Sequence, residues 1–231
     1  MKNILIIILV LGLTVDLYGD TWRNPEITDY YSENGLYMLR VFPTEIPENY
    51  SKWKVAKPKK KEKFSAQDTT IIKCHAILFK TTDSDTTIIW EKKLINQIAP
   101  VVAIVANDGN SIVTFDNWYS NGYGMDVMVS YDKTGGLIER YKLEDFSPIP
   151  INEFEKSISS LWWRCGVKYI DNNTVEICFK HKDGSIKRSR YYVDENRFIY
   201  EPFPPPKLHT HPRIFDEDGN EIIIPGHSEQ K

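Results

Sequence analysis

The sequence carries little net charge, few cysteines and, after its first residues, no long apolar run. Its 231 residues hold 29 Lys and Arg against 32 Asp and Glu, a formal net charge of −3. Nucleic-acid partners favour strongly basic surfaces, so this balance does not indicate one. With only Cys74, Cys165 and Cys178 available, at most one internal disulfide can form.

The apolar run at the amino terminus is too short to span a membrane. Lys2 precedes an unbroken apolar stretch from Ile4 to Leu11. A secretory signal has a basic start and about 7 to 15 apolar residues, whereas a membrane-spanning helix needs about 20. We therefore predict a signal peptide over residues 1–19, cleaved near Asp20, with an uncleaved anchor as the alternative. The mature chain is expected to have no membrane span and to be exported to the periplasm, the cell surface or the medium.

The rest of the chain alternates short apolar, β-branched and aromatic runs with Gly, Asn and Asp turns, as antiparallel hairpins do. Apolar residues make up 41% of the chain, which is enough for a core. We predict an all-β protein of mainly antiparallel hairpins or meanders with one or two short helices. The predicted hairpins lie over residues 30–41, 71–90, 101–115, 125–143 and 166–193.

The strand-and-turn rhythm also repeats. Leu94, Leu143 and Val193 close three successive strand groups at intervals of 49 and 50 residues, a period within the range of propeller-type repeats. We therefore divide the chain into the signal peptide, a β domain over 20–201 with three blade-like repeats, and a proline-rich tail over 202–231 with a candidate hairpin. Propellers close with four to eight blades, so three groups predict an open array or a sandwich.

Residues 30–200 resemble the four-stranded blades of β-propellers. They are also similar to a group of uncharacterised exported bacterial proteins through three short stretches. That resemblance implies export and a β fold, and it implies no activity. The stretches are Asn107-Asp108-Gly109, Val113-Thr114-Phe115-Asp116-Asn117-Trp118 and Gly122-Tyr123-Gly124.

Three segments interrupt the β pattern. Residues 151–162 place apolar side chains at helical spacing after Pro150, which predicts an amphipathic helix capped by Asn152. Shorter helices are predicted over 91–98 and 143–146. Adjacent Trp162 and Trp163 cannot point the same way, so one of them should lie in the core. Residues 43–68 carry seven lysines between positions 52 and 63, and they are interpreted as a solvated loop or as a contact to anionic cell-wall polymer or lipid headgroups.

The spacing of Cys165 and Cys178 leaves their pairing open. A two-residue loop at Asn172 and Asn173 would offset them diagonally by about 7 to 8 Å, beyond comfortable bridging distance. A three-residue loop would set Cys178 opposite Gly166 and send the two sulfurs to opposite faces. We therefore interpret all three cysteines as buried apolar residues, with a pairing of Cys74 still open.

The most suggestive segment for function runs from Asp116 to Asp126. It combines aromatic rings, amides and acids with Gly122 and Gly124, and such combinations bind sugar rings and peptides. An aromatic loop that merely covers the end of a sheet is the alternative. The candidate binding residues are Asp116, Asn117, Trp118, Tyr119, Tyr123 and Asp126.

These residues support three functional hypotheses. The first is a non-enzymatic envelope or secreted module that binds a protein or a glycan. The second is a cell-wall or polysaccharide hydrolase that uses Asp116 and Asp126 as paired carboxylates, which such enzymes hold about 5 to 9.5 Å apart. The third is an inhibitor or immunity factor for an exported enzyme. No catalytic set and no cofactor is predicted. No metal site is predicted either, because the pair His209 and His211 has no third ligand at a suitable spacing.

Overall fold

The computed structural model describes residues 22–45, 72–82 and 85–203. The predicted signal peptide, the lysine-rich segment from residue 46 onwards, the tail hairpin and the two tail histidines lie outside these residues. The chain divides after Glu201 into two units, and every element named below belongs to the first. Apart from one short helix and one 3-10 turn, the regular secondary structure of the described residues is β-strand, which confirms the predicted all-β class.

Twelve strands build three four-stranded sheets in the described part of the chain. In each sheet the strands follow chain order and every neighbouring pair is antiparallel, so each sheet is a meander. Sheet 1 contains β1 (Thr28–Tyr31), β2 (Tyr37–Phe42), β3 (His75–Thr81) and β4 (Thr86–Lys93). Sheet 2 contains β5 (Pro100–Val105), β6 (Ser111–Asn117), β7 (Met128–Asp132) and β8 (Leu137–Tyr141). Sheet 3 contains β9 (Arg164–Tyr169), β10 (Thr174–Lys180), β11 (Ile186–Tyr192) and β12 (Arg197–Tyr200).

The five hairpin regions predicted within the described part of the chain are present, and their turns contain the glycines that the sequence indicated. Gly35 and Gly109 have φ of 71° and 70°, the left-handed region that glycine enters without steric cost. The strand β12 was not predicted. Its turn is made without glycine, by Asn196 at a φ of 50°.

Sheet 2 lies between the other two sheets and is buried on both faces. One core joins sheets 1 and 2 through residues such as Leu78, Ile112 and Val129. The second core joins sheets 2 and 3 and contains Phe115, Met128 and others. Because neighbouring residues of β6 point to opposite faces, packing on both sides explains why every residue of β6 except Asn117 is buried.

The predicted helix over residues 151–162 is wrong. Only Ile151–Glu153 forms a short 3-10 helix, and a tight turn follows, closed by the bond from Ser157 N to Ser160 O at 2.8 Å. The helical spacing was misleading because Ile158 is 74% exposed and belongs to no buried face. The helix predicted over 91–98 is also wrong, since β4 continues to Lys93, whereas the one over Leu143–Phe146 (α1) is confirmed.

The two tryptophans in this region separate as expected. Trp163 is fully buried, where its ring packs against Phe146 and Phe179 with centroids 5.5 Å away in both cases. Trp162 is 49% exposed. Opposite directions for adjacent side chains therefore leave one indole in the core and the other at the surface.

Cys165 and Cys178 form a disulfide, so their interpretation as buried apolar residues is wrong. The three-residue loop is the correct one, and Cys178 pairs with Gly166. The register then shifts, because Phe179 pairs with Arg164 and leaves Cys165 as the extra residue of a β-bulge. That bulge brings the two α-carbons to 5.2 Å, within bridging range. Cys74 is buried, as predicted, and its thiol is free, a point that the sequence had left open.

Candidate functional site

The segment Asp116–Asp126, called the aromatic loop below, connects the end of β6 to the start of β7. It lies at the opposite end of β6 from the turn at Asn107, which is bonded to the turn of sheet 1 through Asn34. The loop turns sharply, with left-handed φ values of 61° at Asp116, 69° at Tyr119 and 75° at Gly122. A β-carbon at Gly122 would come within 2.8 Å of the Leu161 side chain, so this position requires glycine.

Asp116 anchors the loop from beneath. Its side chain is fully buried, and Oδ1 accepts hydrogen bonds from the Gly122 backbone N–H at 2.7 Å and the Trp163 indole N–H at 2.9 Å. Oδ2 forms an ion pair with the guanidinium of Arg164 at 3.2 Å. Burial raises the pKa of Asp116 against the opposing influence of these partners. Asp116 therefore holds the loop and has no surface with which to touch a ligand.

Arg164 is itself enclosed at the start of β9. Its guanidinium lies 5.5 Å from the Phe115 ring centroid and 5.4 Å from that of Trp163, in cation–π range. Burial lowers the pKa of Arg164, while the Asp116 carboxylate acts to raise it. The pair thus connects the loop of sheet 2 to the first strand of sheet 3.

Three other candidate residues are engaged in internal contacts. The Asn117 side-chain oxygen accepts a hydrogen bond from Asn96 Nδ2 at 2.9 Å. Tyr123 packs against the core between sheets 2 and 3. Asp126 forms an ion pair with Arg140 at 2.6 Å, and its pKa is raised by burial. The contacts of these side chains position the loop.

Trp118 and Tyr119 remain partly exposed, and we call their side chains the aromatic surface. The segment Trp22–Asn24 lies against it. The Trp22 ring packs 5.6 Å from that of Trp118 and 5.9 Å from that of Tyr119, measured between centroids. The Trp118 indole N–H donates to the Arg23 carbonyl at 2.7 Å, and the Tyr119 hydroxyl donates to Asn24 Oδ1 at 3.2 Å. The aromatic surface therefore already contacts a peptide segment of the same chain.

A cleft of about 300 Å³ adjoins the aromatic loop at Asn121, and we call it the tryptophan cleft. The exposed Trp162 ring provides its apolar wall, and Glu155 with the cations Arg164 and Lys180 provides charge. Asn121 is held in place because its Nδ2 donates to the Leu161 carbonyl at 2.8 Å. The lining residues are Asn121, Glu155, Trp162, Arg164, Lys180 and His181.

His181 borders this cleft between two carboxylates. Its Nε2 lies 3.3 Å from Glu153 Oε2, and its Nδ1 lies 2.9 Å from Asp183 Oδ1. A hydrogen bond from Lys182 lowers the pKa of Glu153, and hydrogen bonds from Ser185 lower that of Asp183. Within the described residues, no group of three or more His, Cys, Asp or Glu side chains is arranged to hold a metal ion.

Sequence reasoning missed both the tryptophan cleft and the segment at Trp22. The cleft brings together residues up to 60 positions apart, from Asn121 to His181, and no local pattern reports such a meeting. The one available signal was the Trp162-Trp163 pair, which requires one indole at the surface. Trp22 lies just beyond the predicted cleavage site, and no local pattern there indicates a contact with the aromatic loop.

Comparison of the chain with protein-family models, with curated proteins and with solved structures finds no match. In the part of the chain that the structure describes, no helix is long and apolar enough to cross a membrane.

Proposed function

We propose that this chain is an exported, non-enzymatic module that binds a protein or a glycan through the aromatic surface and the tryptophan cleft. The observation that carries the proposal is the fixed presentation of Trp118, Tyr119 and Trp162 at one end of the sheets. Their backbone is held by the buried Asp116 and by Asn121, so a ligand would meet a preformed surface.

The chemistry of this surface suits recognition. Indole and phenol rings offer large apolar faces, and each also carries a hydrogen-bond donor, which is why Trp and Tyr are frequent at binding interfaces. The neighbouring cleft adds an amide from Asn121 and charges from Glu155 and Lys180. Such a mixture of rings and a few polar groups is typical of ligand sites.

The hydrolase hypothesis gains no support from the same geometry. Its two carboxylates must both reach the scissile bond of the substrate. Asp116 is fully buried and bonded to Gly122, Trp163 and Arg164, and Asp126 is bound to Arg140. Both acids are engaged in holding the loop, so binding is the better supported function.

A binding panel tests the proposal. The mature protein is presented to peptidoglycan fragments, envelope polysaccharides and a displayed peptide library, and every ligand found is measured again with the variants Trp118→Ala and Trp162→Ala. Because large aromatic contacts carry much of the energy of an interface, at least one variant should weaken binding about tenfold or more, which is about 1.4 kcal/mol.

The matched control is Tyr31→Ala, which removes an aromatic ring that is 61% exposed. Tyr31 lies at the end of sheet 1 that is next to the Asn34 turn and away from the aromatic loop. This variant should bind as the unaltered protein does. Equal affinities in all four proteins would show that the ligand binds elsewhere. Hydrolysis of any panel member that disappears in Asp126→Asn would contradict the non-enzymatic proposal.

A further inference from the structure

The segment Trp22–Asn24, called the strap below, occupies the aromatic surface by contacts of a kind that peptide-binding sites use. Consecutive residues supply a backbone carbonyl at Arg23 and a side-chain amide oxygen at Asn24 to the two donors of the surface. The Trp22 ring packs against both Trp118 and Tyr119, and its own indole N–H donates to Ser159 Oγ at 3.1 Å.

The strap is attached to the protein body by few bonds. It precedes β1 and belongs to no strand. Each of its hydrogen bonds to the described residues has a side-chain group as donor, acceptor or both. The side chains of Arg23 and Asn24 are exposed. Displacing the strap therefore breaks three hydrogen bonds and two ring contacts and leaves every sheet intact.

We propose that the aromatic surface is a binding site for an extended peptide, that the strap occupies it in cis, and that an external peptide ligand must displace the strap. This inference rests on the proposed function for the location of the contact face, and it narrows the ligand class. The ligand presents an aromatic side chain directly before a free backbone carbonyl, as Trp22 and Arg23 do. A glycan offers no such sequence of groups, so glycan binding without peptide binding is the result that would refute the inference.

The covalent link sets how strongly the strap competes. Only Pro25, Glu26 and Ile27 separate it from β1, and short links of this kind give effective concentrations on the order of 1 mM. Suppose that a free peptide and the untethered strap each bind the open surface with a Kd of about 0.1 mM. The effective concentration of the tethered strap is then about ten times that Kd, so the strap weakens the apparent affinity of the peptide about tenfold. Removing the Trp22 ring should restore most of that factor.

The test uses the full mature chain and a synthetic peptide that copies residues 22–27, Trp-Arg-Asn-Pro-Glu-Ile, with a blocked amino terminus and a fluorescent label. Fluorescence anisotropy measures its binding to the unaltered protein and to Trp22→Ala. We expect about tenfold tighter binding to Trp22→Ala. Asn24→Ala removes only one acceptor from the strap, so it should shift affinity in the same direction by less.

Two further proteins localise the binding. Trp22→Ala combined with Trp118→Ala should lose the peptide, and Trp22→Ala combined with Tyr31→Ala should keep it. A peptide that fails to bind Trp22→Ala, or that binds the double variant lacking Trp118 equally well, overturns the inference. Circular dichroism and thermal unfolding first establish that each variant is folded.

The outcome separates the inference from the proposed function. If Trp22→Ala binds a glycan of the panel through Trp118 and ignores the peptide, the peptide-site inference is refuted and the proposed function stands. If neither the peptide nor any panel ligand depends on Trp118 or Trp162, the proposed function fails and the inference that rests on it fails as well.

Discussion

Replacing Asp116 with alanine is the strongest test of how the aromatic loop is built. The change removes the acceptor of the Gly122 and Trp163 N–H groups and the partner of Arg164, all at a fully buried position. A buried donor left without an acceptor costs about 1–3 kcal/mol, so the two N–H groups alone predict a loss of about 2–6 kcal/mol. That is a large share of the roughly 5–15 kcal/mol that stabilises an ordinary domain.

Urea unfolding followed by tryptophan fluorescence measures the loss. With a slope of about 2 kcal/mol per molar, the midpoint of Asp116→Ala should fall by about 1–3 M. Asp116→Asn is the matched control, because asparagine keeps one oxygen acceptor and also tolerates the left-handed φ of 61°. We expect Asp116→Asn to lose clearly less than the alanine variant.

Two results would refute this reasoning. A loss below about 1 kcal/mol in Asp116→Ala would mean that the three partners do not depend on this carboxylate. Equal losses in the alanine and asparagine variants would mean that the retained acceptor oxygen has no role in holding the loop.

Three other predictions follow from the same structure. Replacing Cys165 and Cys178 together with serine should lower the free energy of unfolding in urea by about 3 kcal/mol, since the bridge closes a loop with a sequence separation of 13. Thiol titration of the unaltered, denatured protein should find one free thiol and not three. Trp163→Ala should lower the free energy of unfolding by about 3–5 kcal/mol and Trp162→Ala by about 0.5 kcal/mol or less, because only the Trp163 indole is buried. Similar losses in the two variants would contradict that assignment. Hydrogen bonds from Thr134 and Gly136 lower the pKa of Asp132 below its ordinary 3.8. The stabilising contribution of the Asp132 carboxylate is therefore present above pH 3.8 and disappears as the pH falls through the lowered pKa of the folded state. Asp132→Asn should show a weaker dependence of the unfolding free energy on pH in that range, and an unchanged pH profile would contradict the assignment.

The sheets were predictable because their signals are local. Turns such as Asn34-Gly35 and Asn107-Asp108-Gly109 need residues that accept left-handed φ values, and the strands between them carry β-branched and aromatic residues. The wrong helix over residues 151–162 shows the limit of the same reasoning. Its apolar residues matched a helical period by coincidence, since Ile158 faces solvent and Leu161 faces the core.

The disulfide was missed for a different reason. The three-residue loop, one of the two considered, has the correct register. A regular ladder with that register sends Cys165 and Cys178 to opposite faces, and only the bulge at Cys165 reverses that result. A single inserted residue has no local sequence signal when its cause is the pairing of the strands.

The candidate site was predictable in its aromatic and polar composition and unpredictable in its roles. The sequence indicated the Asp116–Asp126 segment, yet it gave no sign that Asp116 lies beneath the loop, bonded to Trp163 from a distant part of the chain. Nor did it indicate that Trp22 contacts Trp118, 96 positions away. Such contacts depend on how the three sheets pack, which local patterns do not encode.

Site-specific photo-crosslinking in the source cells tests the central claim most directly. A benzophenone amino acid is placed at position 119 on the aromatic surface or at position 31 as the control, and the crosslinked ligand is identified by mass spectrometry. The account predicts one defined ligand crosslinked from position 119 and none from position 31. The same ligand crosslinked from position 31 and not from position 119 would contradict the assignment of the contact face.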